Sequence, residues 1–445
     1  MRKKVCFIQP TYRDASGRLF HGNRLLYSSL ALPALSATIP PDWEKEFCLE
    51  YFENVNYETD ASVIGISSMG YDIIHGIEIA QEFKRRGKTV VFGGPQAHFT
   101  EGRVRPVCDT VVHGHPSPCE MKRVLDDALQ NRLAPEYRCG MNVSVPFDYS
   151  ILPQRKIDFM PVLTSIGCCQ KCAFCCTAAL YGGIYRLRKL EHVLADLRAV
   201  RKTTRRAVFV DANIYNNRDY LLRLCARMEE EGFGLQWAAQ CTVDIADDQE
   251  VLEALRAAGC LLLIVGFETL GQANLDQLGK PFRVERCRER VRRIGRAGIA
   301  VGGYFMLGLD GDTAASFDAL YDFIHDARIA LPVLNLLLPA PGTRTFEQLK
   351  QEGRLLIEDE EDYLLNNLLY STACNRCFYV PKQMSVSEAE KKFYVLYRKL
   401  SSFREIIRRS ISTCPTLSAT LFALNLAMRS EYRAMAGSRI AGGVQ

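Results

Sequence analysis

The chain has 445 residues, of which 48% are hydrophobic, and a formal net charge of +5. That length accommodates two or three domains with a sizeable core, and a balance of 56 Lys and Arg against 51 Asp and Glu is too even to argue for nucleic-acid binding. Seventeen cysteines, an odd number, follow an opening MRKKVCFIQP whose apolar run is too short for a secretory leader. They point to reduced thiols and metal ligands in the cytoplasm rather than to a disulfide framework, and no apolar stretch reaches membrane-spanning length.

Residues 1–130 alternate short apolar runs with helical stretches. Strands are predicted at 5–9, 60–67, 89–92 and 110–113. A helix over 73–86 carries Ile74, Ile77, Ile79, Ala80 and Phe83 at roughly helical spacing. This alternation predicts a doubly wound parallel sheet. Such sheets bind ligands beyond their strand ends, where Ser67, Ser68, Gly93 and Gly94 fall. Residues 131–158 carry turn formers without periodicity and read as a linker.

Residues 159–340 repeat strand then helix. Strands are predicted at 162–166, 207–210, 235–239, 261–266, 300–307 and 333–338, with helices at 190–202, 220–231, 249–258, 284–297 and 313–328. Six such units predict an α/β region folded as an open partial (β/α)6 barrel, whose chemistry gathers at the carboxyl ends of the strands. A cysteine loop follows the first strand there. Asp211 and Asn213 follow the second, Gln240 and Asp244 the third, and Gly266 and Glu268 close the fourth. The arginine-rich helix over 284–297 reads as a solvated face. Residues 341–445 read as mainly helical, with a packing helix over 417–428 and a Cys374-x2-Cys377 pair.

The cysteine loop is the string TSIGCCQKCAFC, with Cys168, Cys172 and Cys175 spaced C-x3-C-x2-C. Three thiolates on one tight loop hold three irons of a 4Fe–4S cluster and leave the fourth iron open to a small chelating ligand. A zinc knuckle instead wants a fourth Cys or His. Cys169 and Cys176 neighbour the set, and they are assigned to packing because adjacent side chains on one loop cannot all converge. The Cys374/Cys377 pair either binds part of an auxiliary cluster, with further ligands from Cys108, Cys119 or Cys139, or is incidental in a cysteine-rich chain.

The cysteine loop, the glycine-rich strings at 261–269, 301–312 and 336–343, and the 209–213 string FVDAN together resemble the radical S-adenosylmethionine (SAM) superfamily. Ala212 stands where that family usually has a second acid. The strings GISSMGYDIIHGIEIAQEFKRRGKTVVFGGPQAHFTEG and CDTVVHGHPSP resemble the cobalamin-binding domain of the class that includes hopanoid methylases and antibiotic-pathway enzymes. The resemblance implies a cluster on Cys168, Cys172 and Cys175 and SAM on its open iron. It implies SAM contacts from Glu268, Asp211, Asn213, Gly266 and Gln240, and cobalamin near Ser67, Ser68, Gly93 and Gly94. It also implies one-electron supply from a flavodoxin or ferredoxin, a 5′-deoxyadenosyl radical, and methyl transfer to an unactivated carbon of a small substrate, for which the mild basic excess permits an anionic molecule. Asp72-Ile-Ile-His75-Gly76 has the wrong spacing for a cobalt-ligating histidine, so His75 reads as structural. Arg186 and Arg188 match a recurrent family string, and one of them faces an anionic group. Two other readings stand beside this one: sulfur insertion or rearrangement with an auxiliary cluster, and a non-catalytic cobalamin or iron–sulfur sensor.

Overall fold

The computed structural model describes all residues except 1, 14–16, 71, 142–144, 358, 360–362, 364–375, 412–416 and 442–445, with side chains described through residue 430. Residue contacts divide the chain into two compact units. One is Met1–Ile166, Arg186–Val208 and Asp359–Leu368, and the other is Gly167–Tyr185, Phe209–Glu358 and Leu369–Gln445.

The first unit is built on six parallel strands: β1 (Lys4–Gln9), β2 (Glu44–Leu49), β3 (Val63–Ser67), β4 (Thr89–Gly93), β5 (Thr110–His115) and β6 (Glu136–Met141). Their order is β2-β1-β3-β4-β5-β6. Side chains alternate across the pleat, and each face meets a helix. Ile64, Ile66, Val90 and Phe92 pack with Ile73, Ile79, Ala80 and Phe83 of the helix Ile73–Arg85. Val5, Phe7, Val63 and Val91 pack with Met121, Val124, Leu125 and Ala128 of the helix Pro118–Leu129. This is a doubly wound sheet whose order reverses between β1 and β3, the place where such folds open a ligand crevice. Two strands depart from the sequence expectation. β2 (EKEFCL) was not anticipated, and β6 (EYRCGM) lies within the 131–158 stretch read as linker. Both are edge strands, and edge strands carry charges that blunt lateral pairing and erase the apolar signal.

Of the two arginines expected to include one that faces an anionic group, Arg188 is the one that does. Its guanidinium is fully buried and faces a carboxylate of the protein itself, Asp196, at 2.6 Å, with both side chains 0% exposed. It also donates to the carbonyls of Leu163 (2.8 Å) and Val145 (3.0 Å) and stacks 3.8 Å from the Phe147 ring, while Asp196 accepts the Phe147 N–H at 2.8 Å. Arg186 is exposed. The same contacts explain why the single strand expected at 162–166 is two, β7 (Met160–Val162) and β8 (Ser165–Gly167). The carbonyls of Leu163 and Thr164, which a continuous strand would pair with a neighbour, accept the Arg188 side chain and backbone N–H instead. Breaking a buried pair strands a charge. Asp196→Asn is therefore expected to lower stability by about 3 kcal/mol, read as a fall in the urea midpoint. The apolar pair Arg188→Met with Asp196→Leu should recover much of the loss.

The second sheet continues after β9 (Tyr185–Leu187) with β10 (Arg206–Phe209), β11 (Gln236–Cys241), β12 (Cys260–Glu268), β13 (Ala300–Leu307) and β14 (Leu331–Leu336), in the order β14-β13-β12-β11-β10-β7. Pairing from β11 to β14 is parallel throughout, and helices separate successive strands, as in an open partial (β/α)6 barrel. The arginine-rich helix Cys287–Arg296 is not wholly solvated: Arg290 is buried, and it converges with Arg286 and Arg293 on Asp247. The C-terminal region is helical over Val386–Leu400, Phe403–Ser410 and Ser418–Ala441, and Leu417 and Leu421 pack on Leu261, Leu262, Ala300 and Leu331. Among the described residues, no helix is long and apolar enough to cross a membrane.

Candidate functional site

The cysteine loop begins where Gly167, at φ +76°, turns the chain out of β8. The Ala173 N–H donates to the Leu278 carbonyl (2.9 Å), the Ala173 carbonyl accepts the Thr345 N–H (3.0 Å), and Arg344 donates to the Lys171 carbonyl (2.5 Å). The loop is thus fixed from the end of the helix Gln272–Leu278 and the start of the helix Arg344–Gln351 before any ligand binds. Cys168 and Cys172 are buried and Cys175 is half-buried. Cys169 and Cys176, expected to pack, are exposed instead. Burial pushes the Cys172 thiol up, while the Lys280 ammonium pulls it down.

Among the described residues, three ligating groups that come within 4.8 Å of one another are Glu101, His113 and Glu136. The Glu101, His113 and Glu136 group is itself an ion-pair network: Arg105 bridges Glu101 and Glu136, and Arg138 lies 3.0 Å from Glu136.

Glu268 ends β12 with φ +62°, a left-handed conformation rarely held by a residue with a side chain. The pairing register with β13 shifts between Gly266 and Glu268, and the bulge turns the carboxylate inward. Its Oε1 lies 2.8 Å from Lys280 Nζ, with side-chain exposures of 10% and 7%. A Cβ on Gly266 would stand 2.6 Å from that oxygen and 3.3 Å from the ammonium, so glycine makes room for the pair. Burial alone would lower the Lys280 ammonium, but Glu268 and the neighbouring thiols Cys172 and Cys175 hold it above its ordinary value. Nζ also lies 5.9 Å from the Phe174 ring of the cysteine loop. Strained backbone and a buried ion pair at a strand end are the physical marks of a built site. Sequence reasoning missed Lys280. Its one signal is Gly279, at φ +74°, which ends the helix Gln272–Leu278 and turns the next side chain back toward Glu268.

The remaining expected SAM contacts have different surroundings. Asp211 is buried, and Gln240 is half-buried on β11. Asn213 spends its whole amide inside the protein. Its oxygen accepts the N–H groups of Tyr215 (3.1 Å) and Thr242 (3.2 Å), and its nitrogen donates to Thr242 Oγ1 (3.2 Å) and Asn216 Oδ1 (3.0 Å). Two acceptor and two donor positions are the full capacity of an amide, and with all four used Asn213 braces the loop after β10. In the loop after β13, Asp312 accepts the Leu309 N–H (3.0 Å) and the Asn274 amide (2.9 Å), and burial pushes its carboxyl up to about 6.

In the first unit, Ser67 ends β3 and Ser68 opens the loop that Asp72 closes by accepting the Ser68 hydroxyl (2.6 Å) and the N–H groups of Met69 and Gly70. Gly94, after Gly93 of β4, has φ +98°, and a Cβ there would stand 2.2 Å from the Ser68 carbonyl oxygen. Only glycine allows these two strand ends to close together. Beside them Gln96 donates its N–H to the Ser68 carbonyl, and its side-chain Nε2 is buried with no hydrogen-bond partner among the described residues. A buried donor without an acceptor is costly, which fits a polar ligand at this strand end. His75 contacts Glu50 (2.9 Å) and Glu78 (2.7 Å) through its two ring nitrogens, the structural role its spacing predicts. Cys374 lies outside the described residues. Cys377 is buried, its thiol donates to the Tyr379 carbonyl at 3.1 Å, and burial pushes it up to about 11. Cys108 and Cys139 are half-buried and Cys119 is exposed.

Residues 162–324 match the family model of the radical SAM superfamily. The chain is 28% identical over 361 residues to bacteriochlorophyllide d C-12(1)-methyltransferase of Chlorobaculum tepidum, covering 78% of this chain and 76% of that one. It is 35% identical over 212 residues to hopanoid C-2 methylase of Rhodopseudomonas palustris, covering 46% and 40%. Among solved structures it resembles the radical SAM methyltransferase TsrM from Kitasatospora setae with cobalamin and a [4Fe-4S] cluster bound. The TM-score there is 0.72 at 15% identity, over 99% of this chain and 100% of that one. The cobalamin-dependent SAM radical enzyme OxsB matches with a TM-score of 0.71 at 11% identity, over 97% and 72%.

Proposed function

We propose, from a chain that carries a radical SAM domain over residues 162–324 and has radical SAM methyltransferases among its relatives, that this protein is a radical SAM enzyme transferring a methyl group to an unactivated carbon of a small substrate in a biosynthetic pathway. The observation that carries the methyl transfer is that the likeness to a methyltransferase extends over 78% of the chain, well beyond the radical SAM domain itself. Cys168, Cys172 and Cys175 would hold a 4Fe–4S cluster, and the strand ends at Ser67, Ser68, Gly93 and Gly94 would take cobalamin. When bound, the cluster supplies one-electron chemistry to SAM, and the corrinoid supplies a methyl carrier.

The residues of this chain bind, orient and exclude water. The helix ends at Leu278 and Thr345 hold the cysteine loop in place in advance of the cluster, so little ordering cost falls on cofactor binding. Glu268, held by Lys280, presents a fixed anion at the end of β12. There it is suited to the hydroxyl or ammonium donors of SAM. Asp211 and Gln240 would add polar contacts from the ends of β10 and β11. The electron donor in this reading is a flavodoxin or ferredoxin of the cytoplasm. The test is anaerobic reconstitution of the full chain, followed by iron and sulfide analysis, corrinoid absorption and product analysis with SAM and a strong reductant. The expected result is one four-iron cluster, retained corrinoid and S-adenosylhomocysteine. Two clusters, no corrinoid and 5′-deoxyadenosine alone would sink the methyl-transfer reading.

A further inference from the structure

The orientation of an Asn amide is usually an assignment from its neighbours, and here the backbone makes that assignment. Two N–H donors, from Thr242 and Tyr215, reach one atom of the Asn213 amide, which is therefore its oxygen. The Asn213 nitrogen then meets Asn216 at 3.0 Å, and an NH2 group meets only an acceptor, so the facing atom is Asn216 Oδ1. The exposed Cys169 thiol, 3.1 Å from the same oxygen, agrees as a donor. What remains of Asn216 is its own NH2, which lies 3.6 Å from Cys168 Sγ, closer than Oδ1 at 3.9 Å. Thr242 and Asn213 are buried, so the relay that ends on this sulfur is held in a medium where hydrogen bonds are electrostatically strong.

We infer that Asn216 donates a hydrogen bond to the Cys168 sulfur and thereby raises the reduction potential of the cluster that Cys168, Cys172 and Cys175 hold. The inference rests on the cluster reading above. Hydrogen bonds to ligand sulfurs are among the levers that set such potentials, because a donor stabilises the more negative, reduced state. Asn216 is in this sense a positioning and tuning residue, and Asn213 and Thr242 act through it.

The test uses the full chain, reconstituted anaerobically, with the reduced cluster followed by electron paramagnetic resonance during a redox titration. Asn216→Leu keeps the approximate volume and removes the donor. At a fixed applied potential, its ratio of reduced to oxidised cluster is expected to fall about tenfold, a shift of about 59 mV for a one-electron couple, with four irons retained. Asn216→Asp, which turns a carboxylate toward the sulfur, is expected to fall further. An unchanged potential in variants that hold four irons, or loss of the cluster from both, overturns the assignment. A wild-type chain that takes up no four-iron cluster overturns the cluster reading instead.

Discussion

Cys172→Ala is expected to remove SAM cleavage entirely, with turnover falling by at least about three orders of magnitude, or about 4 kcal/mol in the barrier. The reason lies in the geometry of the loop. Cys172 is buried at its centre, next to Ala173, whose N–H and carbonyl are both tied to helix ends elsewhere in the chain. No other thiol can therefore shift into its place without breaking those ties. Cys169 and Cys176 are exposed, unlike the buried Cys172 they would have to replace. An alanine at 172 leaves two ligands, too few to hold a four-iron cube open at one corner. Iron analysis and visible absorption of the anaerobically purified variant check this directly. Cys169→Ala and Cys176→Ala serve as controls and are expected to keep both iron and activity. Loss of the cluster from either control, or its survival in Cys172→Ala, would mean that the ligand set is wrongly drawn.

How much of this was legible beforehand depended on whether a residue's role leaves a local trace. The C-x3-C-x2-C spacing is such a trace, because a cluster loop must gather its ligands within a few residues. The central strands are another. VIGIS of β3 and the run from Cys260 into Glu268 are buried and apolar, and they stood out for that reason. β2 and β6 did not stand out, because an edge strand carries Glu44, Lys45, Glu136 and Arg138 where a central one carries valine. The roles of Lys280 and Asn216 were invisible for a different reason. Each depends on a partner distant in sequence, Glu268 for one and Cys168 for the other, and a lysine after Leu-Gly or an asparagine before a helix reads locally as a solvated cap. Arg188 depends on such a partner too: the string suggested that one of two arginines faces an anionic group, and that group is the Asp196 carboxylate of the protein itself.

The pair Glu268–Lys280 separates a structural role from a binding role. Glu268→Gln preserves size but leaves the Lys280 ammonium, with a side chain 7% exposed, without a counter-charge. Removing one member of a buried pair costs about 3 to 5 kcal/mol, so the apo chain is expected to unfold at a markedly lower temperature. Lys280→Met in the same chain removes the stranded charge, and the double variant is expected to return to within about 1 kcal/mol of the parent. Affinity for SAM should not follow stability. If Glu268 accepts a hydrogen bond from SAM, its loss forfeits about 1.5 to 3 kcal/mol, a weakening of about ten- to a hundredfold that the double variant does not repair. Equilibrium binding of SAM to the reconstituted cluster form measures this, alongside thermal unfolding of the same preparations. A double variant that regains both stability and SAM affinity would show Glu268 to be only the strut that seats Lys280 beside Cys172. The backbone argues against that outcome. A strut needs no strained geometry, whereas Glu268 is held at φ +62° by a bulge in β12, and strain of this kind persists where the side chain must be aimed.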